Sequence, residues 1–167
     1  MRTLILLIFI NLSLFSASAK KDVPLVTNEV YTNECGSCHF AYFPGLLPEN
    51  SWEKLMAELE NHFGDDATVD EQTFQTLTKF LNENSAEKNM NYKRSKKIVQ
   101  SIPKDEVYIA ISKTPYIHKK HKKIKKHLIT QKEVKGLFNC TACHQNAKKA
   151  IFNDDDVDIP NYGKWED

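Results

Sequence analysis

Every cysteine of this chain lies in one of two Cys-x-x-Cys-His motifs, at residues 35–39 and 140–144. Two thiols at this spacing can reach the two vinyl groups of one porphyrin and become thioethers, and the pattern is the attachment signature of c-type haem. The histidine beside the second thiol then lies under the ring and can ligate the iron. The sequence therefore predicts two covalently attached haems, held by Cys35, Cys38 and His39 and by Cys140, Cys143 and His144.

Two other kinds of site use paired cysteines, and both fit this chain less well. Four thiolates can bind zinc, but 101 residues lie between Cys38 and Cys140, and zinc would not require a histidine after each pair. A redox-active Cys-x-x-Cys motif is expected near a strand–helix–strand pattern, which the sequence does not show. Covalent haem remains the favoured interpretation.

Each haem iron also needs a partner on its other face, and two histidines are the main candidates. His62 lies three residues beyond Leu59 on an apolar helix face, and His121 lies between Ile117 and Ile124 at helical spacing. Burying a polar group without a partner costs about 1–3 kcal/mol, so an imidazole on such a face needs a role. We predict that both are distal iron ligands, which gives two low-spin bis-histidine centres.

Four other side chains could compete for these positions: His118, His127, Met56 and Met90. Met56 is the better of the two methionines because it shares a predicted helix side with His62. A methionine ligand would raise the reduction potential relative to a second histidine. Nearness in sequence pairs His39 with His62, and His144 with His121.

Helical patterns predict the elements that position these ligands. Ser51 resembles the N-cap of a helix whose apolar spacing continues through Phe63 and stops at Gly64. Residues 68–71 resemble the capping box of a second helix. A short third helix is predicted around Ser95–Ser101.

A further helix is predicted to open at Thr114-Pro115, with Thr114 as cap and Pro115 in the first turn. Its single apolar face then runs from Ile117 through His121 to Leu128. No strong alternation typical of strands occurs. The sequence therefore predicts an all-α fold in which helices surround two c-type haems with long loops between them. Residues 20–167 form the predicted dihaem domain, with haem regions at about 30–90 and 100–160.

The first 19 residues have the pattern of a secretory signal peptide. Arg2 supplies a positive charge, an apolar run follows, and residues 17–19 are small. The apolar run is shorter than the ~20 residues that a bilayer requires. We therefore expect cleavage after about Ala19, export to the periplasm, and no stable membrane span afterwards. An uncleaved anchor is the alternative.

Charge is strongly divided along the chain although the formal net charge is only +1. Residues 49–71 contain eight acidic side chains and one lysine, whereas residues 113–135 contain nine lysines and one acid. Such a dipole can orient a charged partner during encounter. We expect other redox proteins to bind here, with an acidic surface of the partner contacting Lys119–Lys126. We expect no nucleic-acid partner. Alternatively, each charged run is only a solvated helix face, or the lysines offset the negative charge of the haem propionates.

Several segments together resemble the bacterial dihaem cytochrome c family. They are residues 35–48 with their Pro-Gly-Leu-Leu-Pro ending, Ser51-Trp52, residues 62–67 with His-Phe-Gly, residues 114–116, and residues 139–144. The resemblance covers roughly residues 32–160. It implies a small periplasmic electron-transfer protein that exchanges electrons with monohaem or membrane-bound cytochromes. It also places histidines at positions 62 and 121.

We therefore expect an exported electron carrier rather than an enzyme. The porphyrin does the chemistry, and the protein fixes ligands, dielectric and docking surface. The alternative is a haem enzyme or sensor, peroxidase-like or gas-binding, which requires one open coordination position and a polar distal pocket. The sequence shows no obvious acid–base cluster near either motif.

Overall fold

Six α-helices, joined by loops and short 3-10 turns, make up most of the regular structure in residues 20–166, the part of the chain that this computed structural model describes. They are α1 (Glu29–Cys35), α2 (Glu49–Ala57), α3 (Glu71–Glu83), α4 (Lys93–Ser101), α5 (Pro115–His121) and α6 (Lys126–Thr130). Two-residue strands β1 (Asp158–Ile159) and β2 (Gly163–Lys164) pair in an antiparallel hairpin. The predicted all-α class is confirmed, and the strands are too short to show an alternating pattern.

Helix α2 differs from its prediction at both ends. It begins at Glu49, after Pro48, so Ser51 lies buried in the first turn and is not the N-cap. It ends at Ala57, well before Phe63. A 3-10 turn, Leu59–Asn61, follows, and the Leu59 carbonyl oxygen accepts a hydrogen bond from the Ala67 amide at 2.9 Å rather than from an amide of a continuing α-helix.

A tight turn therefore carries His62, where a helix was predicted. The His62 amide donates to the Asp65 carbonyl oxygen at 2.7 Å, and the Asp65 amide donates back at 3.2 Å. The two residues between them, Phe63 and Gly64, both have positive φ angles, of 55° and 105°. Positive φ is costly for an aromatic residue, and the Phe63 side chain is 63% exposed rather than packed in a helical stripe.

The N-cap of α3 lies two residues beyond Thr68, the first residue of the predicted capping box. This N-cap is Asp70, whose carboxylate accepts hydrogen bonds from the Thr73 amide at 3.0 Å and from the Thr73 hydroxyl at 2.6 Å. Thr68 lies before this cap, and its amide donates to the Asp66 carboxylate at 2.9 Å. The helix packs through an apolar face, on which Leu77 and Leu81 are almost fully buried.

The predicted helix from Thr114 to Leu128 is two helices. Its start is correct, with Thr114 before Pro115, but α5 ends at His121 and α6 begins at Lys126. Lysines three and four residues apart would lie side by side on a continuous helix and repel one another, which disfavours it here. The predicted helix near residues 95–101 is confirmed as α4, which begins at Lys93.

Three buried clusters hold these elements together. The first joins α1, α2 and α3 through Tyr31, Leu47, Trp52, Met56, Leu77 and Leu81. The second contains Val23, Phe43, Leu46, Ile98 and Ala150, and the third contains Leu128, Val157 and Ile159. Burial of apolar surface in these clusters is the main stabilising term that the described residues supply.

The predicted signal peptide, residues 1–19, lies outside the described part of the chain. Between residues 20 and 166, none of the helices has the length and apolar character needed to cross a bilayer.

Candidate haem sites

All eight side chains predicted to attach or ligate haem line one cavity of about 790 Å³. They are Cys35, Cys38, His39, His62, His121, Cys140, Cys143 and His144. The volume is within the about 300–1,000 Å³ that is typical of small-molecule sites. Much of the remaining lining is apolar, including Leu47, Trp52 and Met56 from the first cluster. The fold thus brings both motifs, separated by about a hundred residues, to a common interior surface.

At the first motif, helix α1 places Cys35 at its last position and Gly36 at its C-cap. A side chain at Gly36 would clash with the Thr32 carbonyl oxygen, so the motif needs glycine there. The His39 and His62 rings face each other with their centroids 6.2 Å apart and their planes 25° apart. The predicted partnership of these two histidines is therefore matched by their geometry.

At the second motif, residues 140–142 form a 3-10 turn, and the chain beyond it pairs with the β1 region. The Asp158 amide donates to the Cys143 carbonyl oxygen at 2.9 Å. The His121 and His144 rings have centroids 6.1 Å apart and planes 70° apart. His121 reaches this position from the last residue of α5.

These spacings fit a metal ion between each pair of rings. With metal–nitrogen bonds of about 2 Å, the value for imidazole on zinc, and about 1.1 Å from nitrogen to ring centre, two axial imidazoles have centroids about 6 Å apart. Both ring pairs match this separation. The residues present therefore fit a haem iron at each motif.

Hydrogen bonds fix one histidine of each pair. The Nδ1 of His39 lies 2.9 Å from the Phe40 carbonyl oxygen, and the Nδ1 of His121 lies 2.8 Å from the Ile117 carbonyl oxygen. A carbonyl only accepts, so each Nδ1 carries the proton and each Nε2 keeps the lone pair that a metal needs. The Nδ1 of His144 is buried without a hydrogen-bond partner among the described residues.

Burial also sets the protonation of these groups. It lowers the pKa of His144 to about 4, and it is the main cause of the lowered pKa of His62 and of His121. Three of the four imidazoles are thus held in the neutral form that binds metal. Burial raises the pKa of the Cys35 and Cys140 thiols to about 11, so both are protonated before attachment.

The competing ligands are less well placed. His118 and His127 are exposed and are not among the residues that line the cavity. Met90 is exposed, whereas Met56 lines the cavity as part of the first buried cluster. Residues 20–166 contain no cluster of three or more His, Cys, Asp or Glu side chains that could hold a metal ion without haem.

Tyr42 connects the two motifs and was not identified from the sequence. Its ring lies 4.9 Å from that of His39, and its hydroxyl donates to the Phe138 carbonyl oxygen, two residues before Cys140. Burial raises the pKa of the Tyr42 phenol, which keeps the proton for this bond. The contact spans 96 residues of sequence, so no local pattern could indicate it.

Replacing Tyr42 by phenylalanine should lower the free energy of unfolding by about 1 kcal/mol, the usual net value of one hydrogen bond. Denaturant titration of the haem-loaded protein measures this loss. Tyr108→Phe is the matched control, because its hydroxyl bonds only to Glu106, two residues away. Equal effects of the two substitutions would mean that the Phe138 contact contributes nothing specific.

Comparison with known proteins agrees with this geometry. The family described as dihaem cytochrome c matches residues 31–152. A dihaem cytochrome c from Shewanella baltica is 32% identical, with a TM-score of 0.66, and the match covers 86% of this chain and all of that one. One from Rhodobacter sphaeroides is 30% identical, with a TM-score of 0.65 and coverage of 76% and 98%.

No match is found among curated protein sequences. The family match spans both cysteine motifs and all four histidines that face each other in pairs. The chain therefore belongs to the dihaem cytochrome c family and carries two c-type haems.

Proposed function

We propose that this protein is an exported electron carrier whose two haem irons are each held between two imidazoles. The proposal rests on the geometry of two ring pairs. The His39 ring lies opposite that of His62, and the His121 ring lies opposite that of His144, with centroid separations of 6.2 and 6.1 Å. Two axial nitrogens complete the coordination of a haem iron and leave no open position. A centre without an open position favours electron transfer over substrate binding.

When bound, each haem supplies an iron that gains and loses one electron. The polypeptide's part is to keep the ligand set the same in both oxidation states. Hydrogen bonds from His39 and His121 to backbone carbonyls hold their rings in place, and a rigid ligand set reduces the rearrangement that accompanies each electron. The apolar walls of the cavity limit the access of water and of other ligands.

Carbon monoxide distinguishes the carrier from a haem enzyme or gas sensor. We expect the optical spectrum of the reduced wild-type protein to keep its low-spin bands when carbon monoxide is added. Rapid binding to one haem would reveal an open position and would favour the enzyme or sensor.

The two haems share one cavity, which supports electron entry at one and exit at the other. We propose that an acidic redox protein, such as a monohaem or membrane-bound cytochrome, docks on the lysine surface, defined as Lys119–Lys126. Most of these lysines are exposed, and Lys120 lines the cavity while pairing with Asp154 at 3.0 Å. This surface adjoins His121 in sequence, so docking there would approach the second haem.

Replacing the exposed Lys122, Lys125 and Lys126 by glutamine should slow oxidation by the anion ferricyanide about tenfold at low salt. Electrostatic steering changes association rates by factors of about 10–1,000 and is screened by salt. Stopped-flow rates at several salt concentrations measure the effect, and the variant should also show a flatter salt dependence.

The control variant changes the same charge elsewhere, with Lys54, Lys79 and Lys88 replaced by glutamine. These exposed lysines form ion pairs with acidic residues of the N-terminal half. The rate of oxidation by the cation hexaammineruthenium should not fall in either variant. If oxidation by ferricyanide slows equally in both variants, only the net charge of the protein matters and the lysine surface is not a docking site.

A further inference from the structure

The first turn of α4 contains a buried cation that faces the haem cavity. Arg94 is only 5% exposed, and it lines the cavity together with His121 and His144. Charged side chains are rarely buried to this degree without a role, because removing a charge from water is expensive.

Arg94 contacts both segments that carry the second ring pair. Its guanidinium donates to the Tyr116 hydroxyl in α5, the helix that ends at His121. It also donates to the Phe152 carbonyl oxygen at 2.7 Å, and the Phe152 ring lies 5.6 Å from that of His144. One side chain thus bridges the two sides of the second site.

Asp22 is the counter-ion, and it lies on the side of Arg94 away from the cavity. One of its carboxylate oxygens is 3.4 Å from the Arg94 Nε, and the other accepts the Phe152 amide at 2.7 Å. Its backbone is fixed as well, since its amide donates to the Ala150 carbonyl oxygen at 2.8 Å. Asp22 is not among the lining residues, so the pair presents its positive end to the cavity.

Stability alone is a weak reason to keep such a pair, because a buried ion pair is often no more stabilising than apolar residues of similar volume. Its charge does lie close to the second site, because the Arg94 guanidinium bonds to Tyr116 in the helix that ends at His121 and to the carbonyl oxygen of Phe152, whose ring contacts that of His144. Close in sequence to Cys35 and His62, the cavity lining contains the exposed acidic residues Glu34, Asp65 and Asp66.

We propose that the Arg94–Asp22 pair positions the second haem site and raises the reduction potential of its iron. Oxidation adds a positive charge to the iron, and a buried cation nearby disfavours that added charge. The ion pair of Lys120 with Asp154 also lines this region, but its partly exposed charges are screened by solvent, whereas Arg94 is not. The inference rests on the proposed electron-carrier function.

The test is a potentiometric titration of the haem-loaded protein, followed by electron paramagnetic resonance. The low-spin signal that is lost in the His121→Ala variant is assigned to the second haem. Arg94→Gln leaves Asp22 uncompensated and should lower the potential of that haem. Asp22→Asn leaves Arg94 uncompensated and should raise it. We expect a shift in the ferric–ferrous equilibrium of about tenfold in each direction, which is about 59 mV for a one-electron couple.

The double variant R94Q/D22N should lie between the two single variants, and Arg94→Lys should lie closest to wild type. Shifts of the same sign in both single variants, or equal shifts at both haems, would overturn the proposal, because a general loosening of the site acts in the same direction whichever charge is removed. If the Arg94 variants fail to fold, the Asp22→Asn variant alone tests the proposal, because its side-chain amide oxygen can still accept the hydrogen bond from the Phe152 amide. An unshifted potential of the second haem in that variant would then overturn the proposal. Binding of carbon monoxide by the wild-type protein would instead defeat the proposed function, independently of these shifts.

Discussion

The His121→Ala variant should contain one high-spin haem that binds carbon monoxide, while the other haem stays low-spin. The His121 ring faces that of His144 at 6.1 Å, and an alanine side chain cannot reach the iron. The removed ligand leaves an open position in a cavity that is otherwise apolar. We expect carbon monoxide binding to rise from none to one molecule per protein, as measured by optical titration of the reduced form.

His118→Ala is the matched control, because His118 is exposed on the same helix three residues earlier. Its spectrum should be that of the wild type. A fully low-spin spectrum in the His121→Ala variant would show that His121 is not an axial ligand.

Replacing Cys140 and Cys143 together by serine should halve the covalent haem content. Both thiols line the cavity, and the motif needs both to form its two thioethers. We expect the intact mass to fall by one haem. We also expect weaker resistance to thermal unfolding, because the cavity wall around the second motif would lose the group that fills it.

Thr141→Ala changes a residue inside the same motif without removing a thiol, and it should keep both haems. If the double serine variant retained two covalent haems, the attachment sites would have to lie elsewhere in the chain. That outcome would contradict the assignment of the second motif.

The sequence was most informative where the chemistry is local. Each attachment motif occupies five consecutive residues, so residue type and spacing alone identify it. The candidate distal histidines are indicated less directly. The apolar face of a predicted helix selects His121, which lies at the end of α5, where the following lysines disfavour continuation of the helix.

The helical position predicted for His62 is wrong. This residue lies not on a helix but in a turn closed by hydrogen bonds with Asp65. Gly64 indicates the end of regular structure, but α2 already ends at Ala57, and the Leu59 carbonyl oxygen then pairs with the Ala67 amide. That pairing is a contact between two segments, and the periodicity of either segment alone does not reveal it.

The residues that the sequence could not identify act over long distances along the chain. Tyr42 reaches Phe138, and Arg94 reaches both Asp22 and Phe152. Arg94 lies in a lysine-rich stretch, so composition alone gives it the pattern of a solvated helix face. Only the three-dimensional arrangement separates it from the exposed lysines beside it.

Electron paramagnetic resonance of the oxidised wild-type protein tests the central claim most directly, because it reports the axial ligands of both irons. Nearly parallel imidazole planes split the iron d orbitals strongly, whereas steeply crossed planes leave them close in energy and increase the anisotropy. The plane angles of 25° and 70° therefore predict two distinct low-spin signals, the more anisotropic one from the second haem. A high-spin signal from either haem would contradict bis-histidine ligation and the carrier function that follows from it.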